Sequence, residues 1–309
     1  MKKYRYVLLS LIILVIFASF LEPSFLTWNN LWNVMRQAGV LLLLSLGLTG
    51  VVLTGNIDLS VGSVAALTGC VCAKMMVSGY SIFFSIFASL FIGLMVGACN
   101  GILVGILDLP SFVSTYGMQM VTSGIALIVM NGGVIYDLPS GFTFLGIGYI
   151  GPVPFLIILN VILYILLGVL WGKTTFGRKV YMLGQNKLAA IYSGIDYLSV
   201  LFFTFIISGL GASIAGIIIT ARLNAADAGM CDAYGLQIVA AVVVGGSSLL
   251  GGEGGVTGTV FGAITLTVIL NIMNMTGVES AWQNLILGIL IILLVFISSK
   301  KTTNSISDE

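Results

Sequence analysis

The sequence predicts an all-α integral membrane protein of about ten transmembrane segments, some of them broken or re-entrant, with both termini in the cytoplasm. Three observations predict it. First, 59% of the 309 residues are hydrophobic and 7% are charged, against about 25% charged in a soluble domain. A surface with a mean hydropathy of +1.15 calls for lipid as its solvent. Second, the apolar runs approach the ~20 residues that a helix needs to cross a bilayer. Third, nine of the twelve Lys and Arg fall in three clusters. Lys2, Lys3 and Arg5 open the chain, Lys173, Arg178, Lys179 and Lys187 share one loop, and Lys300 and Lys301 follow the last run. The positive-inside rule places all three clusters in the cytoplasm.

Taken in order, the first run is 6–21. Its basic start resembles a signal peptide, but its end, Phe17-Ala-Ser-Phe-Leu-Glu22, lacks a small-residue cleavage site, so an uncleaved span is expected. Runs 33–54 and 60–79 follow, separated by a polar break. Run 82–107 carries Gly93, Gly97, Gly101 and Gly105 at every fourth position, one narrow face on which another helix can approach closely. Runs 111–131 and 152–171 complete the part before the basic loop 172–198. After it come 199–219, 237–250, 256–275 and 281–299. Six runs precede the loop and four follow, a parity that agrees with the charges. Glu22, Asp137, Asp227, Asp232 and Glu279 then fall outside. Run 237–250 is too short to cross unaided. It is expected to dip in and end at the glycine-rich stretch 245–258, after which Gly254, Gly258 and Gly262 repeat the small-residue spacing.

The chain reads as one transmembrane domain, 1–309. Its two Gly-interrupted breaks, 54–63 and 245–258, suggest an internal repeat over 31–150 and 171–299. The first break, Thr54-Gly-Asn-Ile-Asp-Leu-Ser-Val-Gly-Ser63, sets Asn56, Asp58, Ser60 and Ser63 in apolar surroundings. An ionisable residue there is costly in lipid, by roughly 3 kcal/mol on insertion scales. It persists where it caps a helix or faces a polar pathway, and the residues leave both roles open. Asn100, Tyr116, Gln119, Asn271 and Asn274 are further polar groups in or near spans, either solute contacts or interhelical hydrogen-bond partners.

Several classes are excluded. Gly172-Lys173-Thr174 looks like the end of a phosphate-binding loop, but its first glycine would be residue 167, a leucine. There is no histidine, and Cys70, Cys72, Cys99 and Cys231 have neither disulfide-framework nor zinc spacing. No bound cofactor is expected. A net charge of +1 gives no cause to expect nucleic acid. An ion-coupled secondary transporter stays an alternative, although it would gather several ionisable ligands and no second carboxylate pairs clearly with Asp58. In the loop, Asn186 can cap a short helix to Ser193 that Gly194 ends, with Leu188, Ile191 and Tyr192 on one face. Spacing alone leaves that face for a protein partner or for the lipid surface.

Four ordered blocks carry a family resemblance. Gly55-Asn-Ile-Asp-Leu-Ser-Val-Gly-Ser63, Asn100-Gly-Ile-Leu-Val104 with Leu109-Pro-Ser-Phe-Val-Ser-Thr-Tyr-Gly117, Phe176 to Gly194, and Val242 to Thr259 resemble the motifs of ribose-type ABC transporter permeases. The resemblance implies the membrane subunit of an ATP-driven importer in a bacterial inner membrane, carrying a monosaccharide such as ribose. Nucleosides, autoinducer-like furanoses and branched-chain amino acids are alternative solutes. It also implies a second permease copy or a homologous permease, a cytoplasmic ABC ATPase that binds the ATP-Mg, and an extracytoplasmic sugar-binding protein. Asn186, Ala189, Ala190, Ser193 and Gly194 would then form the ATPase docking element. Asn56, Asp58, Ser60, Ser63, Asn100, Tyr116, Asn271 and Asn274 are the candidates for the path or gate. Two departures stand out. Leu188 replaces the family's glutamate in the docking segment, and Gly235 and Gln237 replace two carboxylates after the seventh span.

Overall fold

The computed structural model describes residues 5–232, 234–290 and 292–293. Lys2, Lys3, Lys300, Lys301 and the last part of run 281–299 lie outside the described residues. The chain is helical and its helices follow the predicted runs closely: α1 (Arg5–Leu21), α2 (Trp28–Leu53), α3 (Val61–Val77), α4 (Ile82–Gly101) and α5 (Ser111–Met130). A π-helical turn, Ile102–Ile106, extends α4. Then come α6 (Ser140–Ile147), α7 (Phe155–Lys173), α8 (Thr175–Gln185), α9 (Lys187–Tyr192), α10 (Tyr197–Leu223), α11 (Tyr234–Val244) and α12 (Val256–Met275). Residues 280–290 are helical. Among the described residues, six helices are long and apolar enough to cross a membrane. α11, at 11 residues, extends only ~16 Å and falls short of a ~30 Å hydrocarbon core. It ends at Gly245, where the glycine-rich stretch begins.

Burial separates a centre from a rim. In α2, 83% of the apolar window is buried, and 67% in α12 and 61% in α10, against 22% in α4 and α5 and 17% in α7. The rim helices show apolar residues outward: Phe83, Phe87 and Phe91 on α4, Ile165 and Leu166 on α7. Such a surface belongs in acyl chains.

Glycine sets the closest approaches. A Cβ at Gly97 would lie 2.5 Å from Phe205 O of α10, and one at Gly101 would lie 2.9 Å from Phe202 Cα. Gly93 faces Gly209 and Ser213 on the same helix, while Gly105 has no contact nearer than 3.6 Å. The stripe on α4 is therefore a seam with α10 inside this chain. Gly258 and Gly262 of α12 face Gly245 at the end of α11 in the same way.

Two features are absent from the sequence reading. The region 132–151 folds into α6 and paired two-residue strands, β1 (Ile135–Tyr136) with β4 (Ala225–Ala226) and β2 (Tyr149–Ile150) with β3 (Val153–Pro154). Phe142 of α6 is buried with Cys70, Cys72, Met76 and Ile217. The basic loop holds two helices where one was expected. Thr174 Oγ1 accepts from Gly177 N at 3.0 Å and starts α8, and Val180 and Leu183 anchor it in the core.

Candidate functional site

The polar break after α2 is built as a junction. Gly55 has φ +78°, which turns the chain out of α2. Asp58, 3% exposed, then faces back into protein. Its Oδ1 accepts from Ser60 N at 3.0 Å and Ser60 Oγ at 2.6 Å, and its Oδ2 accepts from Ser208 Oγ of α10 at 2.8 Å. Asn100 Nδ2 of α4 donates to Ser60 Oγ at 2.9 Å. The carboxylate thus holds the start of α3 against α10, with α4 reaching it through Ser60 and, at 3.5 Å, directly from Asn100 Nδ2. Each hydrogen bond to a charged group is worth about 1.5–3 kcal/mol, set against the cost of burying the charge.

α5 staples the other side of the break. Ser111 Oγ accepts from Ile57 N at 3.3 Å and Thr115 Oγ1 accepts from Leu59 N at 3.1 Å. Thr122 Oγ1 donates to Ser63 Oγ at 2.7 Å. The sequence reading missed these hydroxyls. Their signal was Ser111, Thr115 and Thr122 on one helical face of an apolar run. Asn56 donates to Thr54 Oγ1 at 3.0 Å and stays within its own turn.

The two breaks meet. Gly252 N donates to Leu53 O at 2.9 Å, joining stretch 245–255 to the end of α2. A Cβ at Gly251 would lie 2.6 Å from Gly55 N and 2.8 Å from Gly184 Cα of α8. Gly184 itself faces Leu53 O and Gly252 N. Three backbone segments cross here with room for no side chain.

A short basic helix follows α8. Asn186 Oδ1 accepts from Ala189 N at 3.0 Å and caps α9, and Gly194, φ +81°, ends it, as the sequence predicts. Leu188, Ile191 and Tyr192 are exposed, the last by 87%. Ala190 is 1% exposed and points inward, so its own methyl seats the helix and presents nothing outward. Lys187 Nζ lies 3.2 Å from Asp108 Oδ1 and 3.9 Å from the Tyr197 ring centroid. Partial burial pushes its ammonium pKa down, but the Tyr197 and Asp108 contacts outweigh that and raise it. Asp196 caps α10, and its hydrogen bonds from the Ser199 side chain and backbone hold its carboxyl below the usual value.

At the far end of α2, α10 and α12 from these contacts lies a cavity of about 370 Å³. Gln37 and Leu41 of α2, Ile219 and Arg222 of α10, Tyr234 and Gln237 of α11, Thr267, Leu270 and Asn274 of α12, and Gln283 line it. Gln283 Nε2 donates to Asn274 Oδ1 at 2.8 Å. Among the described residues, the Arg222 guanidinium, the Gln37 and Gln237 amides and the Tyr234 hydroxyl make no hydrogen bond within the chain. Four polar side chains that face one cavity free of intrachain hydrogen bonds, in an otherwise apolar bundle, can bind an oxygen-rich solute.

Of the expected path residues, Asn274 alone lines this cavity. Asp58, Ser60, Ser63 and Asn100 form the junction, at the opposite end of α2. Asn271 is closed off, because its amide and that of Asn30 of α2 exchange hydrogen bonds at 3.0 Å in each direction. Tyr116 is 45% exposed on the outer face of α5 and stacks on Phe112. Gln37, Arg222, Tyr234 and Gln283 escaped sequence reading, and Gln237 stood out only as a departure from the family pattern, because the cavity gathers them from four separate helices. Each lies near a run's end, where a polar residue is ordinary.

The model of the family described as branched-chain amino acid transport system / permease component matches residues 30–295. A ribose import permease protein of Bacillus subtilis (strain 168) is 40% identical over 296 residues, covering 95% of this chain and 92% of that one. A ribose import permease protein of Escherichia coli (strain K12) is 35% identical over 301 residues, with 95% and 93% covered. The D-allose transport system permease protein of the same strain is 35% identical over 298 residues, with 95% and 90% covered. No solved structure matches.

Proposed function

The chain belongs to the branched-chain amino acid transport system / permease component family, and on that premise we propose that it is the membrane subunit of an ATP-driven importer for a monosaccharide. The relatives named for ribose and D-allose support the solute class. One observation carries the reading: a cavity of about 370 Å³ on which amide, hydroxyl and guanidinium groups free of intrachain hydrogen bonds converge. A hydroxyl both donates and accepts, and amides answer both needs.

In this reading the subunit catalyses no reaction, binds no cofactor and moves solute by alternating access. Ten segments cross or enter a bacterial inner membrane with both termini in the cytoplasm, α11 re-entering. The cavity then opens from the extracytoplasmic side, where a sugar-binding protein delivers solute. The exposed face of α9, held by Asn186, Ala189, Ala190, Ser193 and Gly194, meets the ATPase. Because Gly184 of α8 touches both breaks, a push on α8 and α9 acts directly on the inner end of the path. Asp58, Ser60, Ser63 and Asn100 form the gate region there. Tyr116 and the outer face of α5 face lipid or a second permease copy. The meeting of the breaks at 54–63 and 245–258 supports an internal repeat.

Proteoliposomes holding this chain with its co-purified ATPase and binding protein test the proposal. ATP inside the ATPase's compartment should drive accumulation of labelled ribose or allose. Uptake that needs only an ion gradient, with no ATPase present, overturns the ATP-driven mechanism.

A further inference from the structure

The cavity holds one cation and, among the described residues, no carboxylate. Arg222 sits at the last turn of α10, and its backbone is held by elements outside the main bundle. A Cβ on Gly146 of α6 would lie 2.5 Å from Arg222 Cα, so α6 packs backbone to backbone against it. Asn224 follows in left-handed conformation, φ +52°, and its Oδ1 accepts from Leu138 N at 2.9 Å. The next residues, Ala225 and Ala226, pair with Tyr136 and Ile135. A strand pair, a helix and a side-chain bond thus fix the position from which the guanidinium reaches the cavity. Such support fixes the backbone from which a recognition group works.

We propose that Arg222 is the specificity-determining donor of this cavity: its fork takes two neighbouring oxygens of an uncharged sugar ring, and its charge bars cationic solutes. The proposal rests on the sugar-importer reading and sharpens it. The guanidinium is planar, always charged and offers donors in a fixed fork, which lysine cannot reproduce. Gln37 from α2 and Gln237 from α11 give acceptors as well as donors to the remaining hydroxyls. Tyr234 and Gln237 are three apart on α11 and share a face. An amino acid fits poorly: its carboxylate would take Arg222, and its ammonium would then find no carboxylate in the lining. A sugar acid would form an ion pair in a low-dielectric site, and a transit site must release what it binds.

The test uses the full chain in lipid nanodiscs, without binding protein, and saturation-transfer NMR with D-ribose, D-allose, D-gluconate and D-glucosamine, the last in mildly acid buffer where its amine is protonated. The wild type should bind ribose or allose, bind gluconate no more weakly but release it more slowly, and refuse glucosamine. Arg222→Lys should weaken the neutral sugar by about tenfold or more, the loss of a charge-assisted hydrogen bond. Arg222→Gln should raise glucosamine binding relative to ribose, a change of preference that misfolding does not produce. If both variants bind ribose as the wild type does, or if the wild type takes glucosamine as readily, this inference falls and the sugar reading stands. If the wild type binds no neutral sugar, both fall.

Discussion

Asp58 illustrates how one residue can be legible in kind and misleading in role. An acid in apolar sequence announces a special position, and the position is special. Yet its carboxylate is consumed by Ser60 and Ser208 inside the protein, far along α2 from the cavity. Asp58→Asn tests this. The amide replaces one acceptor oxygen by a donor, which must face a Ser60 or Ser208 donor. We expect a loss of about 1–3 kcal/mol of stability, the cost of a frustrated buried polar group, read as a lowered thermal midpoint in detergent. An unchanged midpoint would show that the carboxylate holds nothing together. Asn271 teaches the complementary lesson. Its mate Asn30 lies 241 positions away, so no local pattern announces that the two amides satisfy each other. Arg222 and Gln37 went unread because a lone polar residue near the end of an apolar run carries no signal. Only the fold brings them to one cavity.

At the scale of elements, whatever had a period was legible. The apolar runs became helices, and the glycine stripe of run 82–107 became the α4–α10 seam. Asn186 and Gly194 marked α9 at both ends. α6 and α8 were missed for physical reasons. α6 is only 8 residues, too short for a clear period, and it is held by tertiary contact with α10. In α8, Gly177 and Gly184 lower the helix propensity of an 11-residue segment, but both stand where backbones touch. Gly184 is the more consequential. A side chain there must displace Leu53 O and Gly252 N. Gly184→Val should therefore part α8 from the two breaks while leaving the exposed face of α9 intact. In a reconstituted complex the expected result is retained ATPase binding and hydrolysis with solute transport reduced by about tenfold or more, equivalent to ~1.4 kcal/mol of lost coupling. Equal transport per ATP in mutant and wild type would show that α8 does not carry the push.

Over the whole molecule, the cavity and the glycine crossing occupy opposite ends of α2. From Gln37 to Leu53 the helix runs roughly 24 Å at 1.5 Å per residue. Buried Leu44, Leu46 and Leu48 fill that interval, and Thr49 Oγ1 and Thr259 Oγ1, 2.8 Å apart, bind α2 to α12 within it. On the proposed reading, a solute in the cavity has apolar packing between it and the cytoplasmic end. That reading makes the arrangement a path open at one end and sealed at the other, with the seal made where the breaks and α8 meet. Accessibility distinguishes the ends. With exposed Cys99 replaced by serine, a cysteine at Gln237 should react with a membrane-impermeant thiol reagent added outside and be protected by millimolar ribose or allose. A cysteine at Asn56 should not react from outside in any state. The buried Cys70, Cys72 and Cys231 set the background, measured in the same chain without either new cysteine. If Asn56→Cys is labelled from outside as fast as Gln237→Cys, the seal is absent and the path is continuous through this chain. If Gln237→Cys reacts only from the cytoplasmic side, the orientation drawn from the basic clusters is inverted.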